Sequence, residues 1–451
     1  MQIITIYDFL LLPLYLALFF YFIKRKAAVY GDIEIRKIFF IAFGLRMFGS
    51  VAYSLLVQYY YGFGDSFTYY KGSDFIHEQL AQNIGNIKYF FSSATEFQQW
   101  YNIEVGDIGL SGYLGITSAN AIMKISALLS FIAFNKFMII SLFFGLFSFA
   151  GQWKLFQVFN DFNKGKNQKL LAYAVLYSPS IWFWGSSLMK DSVCLGAVGF
   201  LVSIFYMVII KKQFSLRDWL LFPFLIYLIY IIKSYIIIIF VVSLIAVIFV
   251  RYIWKLKNLL LRIAVISLFL VGSVLFVLLT DFSAEINDMV QESYVQVQNY
   301  QKNYENIQNS DENSMAGFEL KNLDPSLSSM IIKSPTVIFT CLYRPFLWES
   351  KKIIILFTSL ESTLLLVLTL YLIFKTRFIG FFKIIFSNQL ILFSFVASIL
   401  FALIIGFTTF NFGTMTRYKI ILLPFYYFVL VAIYGKMMEQ KEEKNLTAAL
   451  P

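Results

Sequence analysis

The chain has 451 residues, 59% of them hydrophobic and only 14% charged, with a mean hydropathy of +0.72. A soluble domain is nearer half apolar and a quarter charged, so a soluble globular protein is excluded. The net charge of +11 would suggest nucleic acid in a soluble chain; here Lys and Arg fall in short loops between apolar runs, where they report membrane orientation instead.

Apolar runs long enough to cross roughly 30 Å of hydrocarbon recur from end to end. They predict an all-α polytopic membrane protein of about eleven transmembrane helices. The expected spans cover residues 6–23, 38–60 and 136–156, a fourth ending at the Trp-rich turn 178–192, and 191–210. Residues 219–250 are too long for one helix and read as two short helices meeting at Lys233-Ser234; 261–280, 353–374, 389–409 and 419–435 complete the set. The first run lacks a basic leader and a small-residue cleavage site, so it is expected to be a retained helix. Lys24-Arg25-Lys26, Arg36-Lys37, Lys164, Lys166, Lys169, Lys211-Lys212, Arg251, Lys255, Lys375, Arg377 and Lys383 all fall on one side of this arrangement. The positive-inside rule makes that side cytoplasmic, placing the N-terminus outside and the C-terminus inside.

The chain is expected to form a single integral-membrane domain, 1–451, with two substantial outer-face segments. Residues 61–135 carry amphipathic stretches, as over 74–84, of the kind that lie on a membrane face. Residues 281–352 begin as a polar insertion, nine acidic residues against Lys302 and Lys321 over 281–324, and end in a re-entrant or interfacial piece around 330–346. No internal repeat is visible, which disfavours the inverted-repeat transporters.

Five polar clusters fall on the outer side: 64–70, 186–191, 233–235, 343–349 and 411–418. They supply carboxylates (Asp65, Asp191, Glu349), cations (Lys190, Lys233, Arg344, Arg417), the amide of Asn411, and aromatic platforms such as Tyr69 and Trp184. A carboxylate can act as general base on a hydroxyl, while Lys and Arg can hold and neutralise a departing diphosphate. Gathered at one mouth, these groups fit sugar transfer from a polyprenyl-diphosphate carrier, with Asp65 the first candidate base and Glu349 the second. Each cluster also has a plainer reading. Asp65 can cap the helix that follows, Lys190-Asp191 can be an interfacial pair, Lys233 can snorkel, Arg344 and Glu349 can pin a re-entrant segment, and Arg417 can bind head groups. Arg46 and Glu361 fall inside spans, where charge is costly, and a buried structural pair is favoured over a substrate contact. Cys194 and Cys341 have no metal-ligand spacing; a disulfide or unpaired apolar packing remains, the latter favoured. The only histidine, His77, sits in an amphipathic stretch. There is no Gly-rich phosphate loop, so no cofactor is expected and no metal is indicated.

On these residues the chain resembles bacterial membrane glycan-assembly proteins: the multi-spanning Wzy-like polysaccharide polymerases and the related GT-C-type glycosyltransferases that use lipid-linked sugars. Gly64-Asp65-Ser66 followed by Tyr69-Tyr70 looks like the acidic loop of the GT-C enzymes. Pro179-Ser180 with Trp184, Ser187 and Lys190-Asp191, the run Arg344 to Glu349, and Asn411-Phe412-Gly413 with Arg417 look like further turns of such proteins. The resemblance implies that Asp65 is the catalytic carboxylate, that the partners are a polyprenyl-diphosphate-linked oligosaccharide and the lipid bilayer, with no nucleic acid, and that the protein sits in the bacterial inner membrane. It also has departures. Asp65 follows the second expected span instead of the first, no second acid adjoins it, and no outer-loop His is in place for a ligase. A transporter or flippase of lipid-linked sugars, and a non-catalytic membrane subunit of an export machine, are the alternatives.

Overall fold

A computed structural model of the chain describes residues 2–104, 113–213, 215–255, 327–350 and 353–448, with isolated positions between 258 and 318. Every regular element among the described residues is a helix. Seven are long and apolar enough to cross a membrane, or eight if Phe412–Lys419 and Leu423–Glu443, bent by 65°, form one span. This is the architecture of a multi-pass membrane protein.

The described helices match the eleven expected spans in part. The stretch leading into the Trp-rich turn is built as Gln168–Ala172 and a π-turn Tyr173–Tyr177, and the turn itself opens with a short helix, Pro179–Trp184. Pro179 lacks an N–H and drives Ser178 out of helical geometry (ψ 125°). Residues 219–250 do divide at Lys233-Ser234, but the first half, Leu216–Lys233, holds three charges in its 18 residues and is not among the seven. The helix expected at 261–280 lies almost wholly outside the described residues, as does the acidic stretch 281–324.

Two compact units divide the chain, Met1–Ile237 and Ile238–Pro451. In the first, α1 (Ile6–Ala27) and α2 (Ile33–Leu56) lead through a π-turn to α3 (Asp65–Gln82), α4 (Ala94–Glu104) and α5 (Thr117–Ile132). Then come α6 (Phe137–Phe162), α7 (Gln168–Ala172), α8 (Pro179–Trp184), α9 (Lys190–Phe205) and α10 (Leu216–Lys233). The most enclosed span is α6, 72% of whose apolar window is buried. It meets α9 backbone to backbone: a methyl on Gly151 would stand 2.6 Å from Gly196 Cα. Small residues permit this approach where lipid offers no hydrophobic drive between helices. Gln152 Nε2 adds a hydrogen bond to Leu195 O (3.0 Å).

The amphipathic segment at 74–84 falls in α3, whose Gly72, Ser73, Ile76 and Leu80 are buried, with Gly72 lying against Met123 of α5. At the far end of the unit, Trp153 Nε1 donates to Tyr30 OH (2.7 Å), Lys169 faces Glu34 (3.8 Å) and Lys211 pairs with Asp161 (2.5 Å). The Lys/Arg-rich loops of this unit therefore share one end.

The second unit takes in most of α11 (Tyr235–Lys255), then α12 (Leu327–Tyr343), α13 (Ile353–Ser387), α14 (Gln389–Thr408), α15 (Phe412–Lys419) and α16 (Leu423–Ala448). Phe240 of α11 packs on Phe393, Phe401 and Phe425, tying α11 to α14 and α16. The interfacial piece expected at 330–346 is an apolar helix, α12, too short to rank among the seven spans. It ends at a cis Arg344–Pro345 bond and a 3-10 turn, Leu347–Glu349. The span expected at 353–374 continues to Ser387 through a kink at Arg377 (φ 58°, ψ 155°).

Candidate functional site

Three of the five polar clusters meet in the first unit. Gly62 and Gly64, at φ 67° and 120°, take backbone geometry that L side chains resist and turn the chain into α3. Asp65 is then the first residue of that helix, half-buried in its opening turn, where helix N–H groups favour a carboxylate. One residue on, Ser66 Oγ donates to Leu188 O (2.9 Å), fastening α3 to the Trp-rich turn. Tyr69 is buried, and the Lys190 ammonium stands 5.7 Å from its ring centre. Lys190 Nζ also donates to Ser118 Oγ at 2.7 Å, a partner on α5 that the sequence reading passed over. Asp191 and Lys233 form an ion pair with side chains only 1% and 9% exposed. Asp191 lies in the first turn of α9 and Lys233 is the last residue of α10.

The Trp-rich turn itself is not a surface feature. Gly185 to Met189 are all buried, and Trp184 is buried edge-on against Tyr53 (5.6 Å). Small residues at 185–187 let the chain pass between α2 and α6: a methyl on Gly185 would meet Arg46, and one on Gly145 would stand 2.9 Å from Ser186 O. The Trp184 ring is thus packed inside this turn.

The other two clusters meet in the second unit. Arg344 holds Glu349 bidentately, its Nε reaching Oε1 and Oε2 at 3.0 and 3.1 Å, and Phe346 N donates to Glu349 Oε2 (2.8 Å). Phe412, Phe318 and Phe346 surround the guanidinium at 5.0, 5.8 and 6.0 Å. Asn411 caps α15, accepting from Gly413 N (2.7 Å) and Thr414 N (3.4 Å), while Arg417 lies over Tyr418 (5.1 Å). Lys419, expected as the start of a span, is buried and donates to Arg344 O (3.2 Å) and Ser362 Oγ (2.8 Å). Arg344 and Glu349 thus form an ion pair across the turn that follows α12.

Each of the two charges inside spans has partners within its own unit. Arg46 Nη1 donates to Ser148 Oγ, Ile181 O and Gly185 O at 3.1, 3.0 and 2.9 Å. Glu361 accepts from Tyr427 OH (3.2 Å). A further buried charge went unread: Asp8 Oδ1 accepts from Met138 N (3.0 Å) and Oδ2 from Thr5 N (2.8 Å), linking α1 to the start of α6. Thr5-x-x-Asp8 is a helix-start pattern and was the signal available. Cys194 and Cys341 are buried free thiols. Among the described residues, no three His, Cys, Asp or Glu side chains group as metal ligands.

No protein-family model matches the chain, and neither curated proteins nor solved structures give a significant match.

Proposed function

We propose that the protein is a glycan-assembly enzyme of the bacterial inner membrane that polymerises or transfers undecaprenyl-diphosphate-linked oligosaccharide at the periplasmic face. The observation that supports this reading best is the gathering of Asp65, Tyr69, Lys190 and the Asp191–Lys233 pair on elements fastened together at one end of the first unit. In this reading an acceptor hydroxyl attacks the anomeric carbon of the donor sugar. Its proton passes to Asp65, the C1–O bond breaks, and the diphosphate leaves with its charge met by Lys190. Lys233 is oriented by Asp191. In the second unit, Arg344, Asn411 and Arg417 are proposed to bind an anionic group. Glu349, held through both oxygens by Arg344, is there a positioning residue for that guanidinium in place of a second base.

The test is the profile of lipid-linked intermediates in a deletion strain complemented with wild type or Asp65→Asn. Long polymer should return with wild type only, and single lipid-linked units should accumulate at the periplasmic face in the mutant, at equal protein level. Normal polymer in Asp65→Asn would overturn the assignment of the base. Units trapped on the cytoplasmic leaflet would mean a flippase, and an unchanged profile on deletion would point to an export subunit.

A further inference from the structure

The Lys/Arg-rich end of the first unit holds a cavity of about 510 Å³ between α6, α9 and α10, at the opposite end of α9 from Lys190. Its volume lies in the range of small-ligand sites. Lys154, Gln157 and Asp161 line it from α6, spaced three and four residues apart and so on one helical face. Lys211 enters from the π-turn after α9, and Arg217 from the first turn of α10. Phe200, Ile204 and Leu221 supply an apolar wall.

The charges in this cavity are unequally committed. Asp161 is taken twice, by Lys211 (2.5 Å) and by Tyr206 OH (2.5 Å). Asp218 is engaged by Arg217 (3.3 Å). Lys154, half-buried on the wall, has no carboxylate within ion-pairing distance among the described residues. A half-buried ammonium beside an arginine attracts an anion, and the planar guanidinium suits phosphate oxygens in particular.

We infer that this cavity binds a phosphate-bearing head group, with Lys154 and Arg217 on the phosphate and the wall of Phe200, Ile204 and Leu221 against the apolar part of the ligand. The chemistry is that of a phospholipid head group or of a soluble phosphate ester such as glycerol phosphate. The inference does not depend on the proposed glycan reaction, and its test is read by binding alone.

The full chain in neutral detergent is titrated with phosphatidylglycerol in mixed micelles, with phosphatidylcholine in mixed micelles, and with free glycerol phosphate, following the apparent melting temperature. A saturable rise with phosphatidylglycerol but not phosphatidylcholine assigns a lipid source, and a rise with glycerol phosphate assigns a soluble one. In either case Lys154→Gln should weaken apparent affinity by about tenfold or more, and Lys154→Arg should retain it, separating loss of charge from loss of fold. Arg217→Gln, at an exposed side chain, should weaken it as well. No rise with either phosphate ligand, or an equal rise in Lys154→Gln and wild type, overturns the inference.

Discussion

Replacing Lys233 with methionine removes the cation from a pair whose side chains are 9% and 1% exposed. Stripping one partner from a buried pair costs about 3–5 kcal/mol, because the remaining charge is left in a poor solvent. The structure lowers that figure. Asp191 stays in the first turn of α9, where the helix dipole returns roughly 0.3–1 kcal/mol. Asp191→Asn likewise leaves Lys233 at the C-terminal end of α10, where a cation is favoured. Each single variant should therefore lose roughly 2–4 kcal/mol, or on the order of 5–15 °C in apparent melting temperature for a unit of this size. The double variant Asp191→Asn/Lys233→Met leaves no unpaired charge and should lose clearly less than the sum of the two singles. Unfolding of all four proteins in one detergent, followed by tryptophan fluorescence, closes the cycle. Additive losses, or a Lys233→Met protein that melts like wild type, would refute the argument that these charges stabilise each other.

Three further outcomes follow from the packing. Gly151→Ala puts a methyl against the Gly196 backbone and should cost at least about 1–3 kcal/mol, whereas Gly44→Ala, with nothing within 4 Å of the added carbon, should melt within about 1 °C of wild type; equal melting of the two variants would contradict the close α6–α9 contact. Arg46→Met removes the arginine donor from Gly185 O and Ser148 Oγ, and one of two donors from Ile181 O, and should cost about 3 kcal/mol or more, with partial recovery in Arg46→Lys; unchanged melting would show those acceptors satisfied otherwise. Burial lowers the His77 pKa from its ordinary 6.5, opposed by Asp74 and Glu78. The unfolded chain therefore binds its proton first on acidification, so the stabilisation from neutral His77 is complete above about pH 6.5 and is lost below it, towards the folded value. His77→Gln should flatten the dependence of melting temperature on pH between about 7 and 5, and an unaltered slope would remove His77 as its source.

Much of the membrane architecture was legible because it rests on run length and composition, which are properties of the sequence. The spans at 6–23, 38–60, 136–156, 191–210 and 389–409 appear as long helices with shifted ends. Lys233-Ser234 is a true break between helices, as the length of the run implied, whereas the pairing of Lys233 with Asp191 is carried by neither hydropathy nor length. The fourth expected span reaches the Trp-rich turn as a short helix and a π-turn, and Pro179 starts a new helix after it. In the polar clusters the sequence marked the right letters and could not say which would meet. Asp65, Lys190 and Lys233 fall within one unit because Ser66 binds a backbone carbonyl at 188, a contact with no pattern in the sequence.

The same limit applies to the charges inside the spans. A buried charge needs polar partners, and the sequence does not say which. In this protein helix ends supply several of them. Arg46 points at Ile181 O, which also accepts from Gly185 N (3.1 Å), and at Gly185 O, which lies past the last turn of α8 where the helix leaves carbonyls over. Asp8 accepts Met138 N in the opening turn of α6, where N–H groups are left over. Asp191 stands at the start of α9 and Lys233 at the end of α10, each at the terminus whose dipole suits its sign. Four buried charges are placed by one rule. By starting at Pro179 and stopping at Gly185, the chain creates the short helix whose C-terminal carbonyls hold Arg46 in the interior.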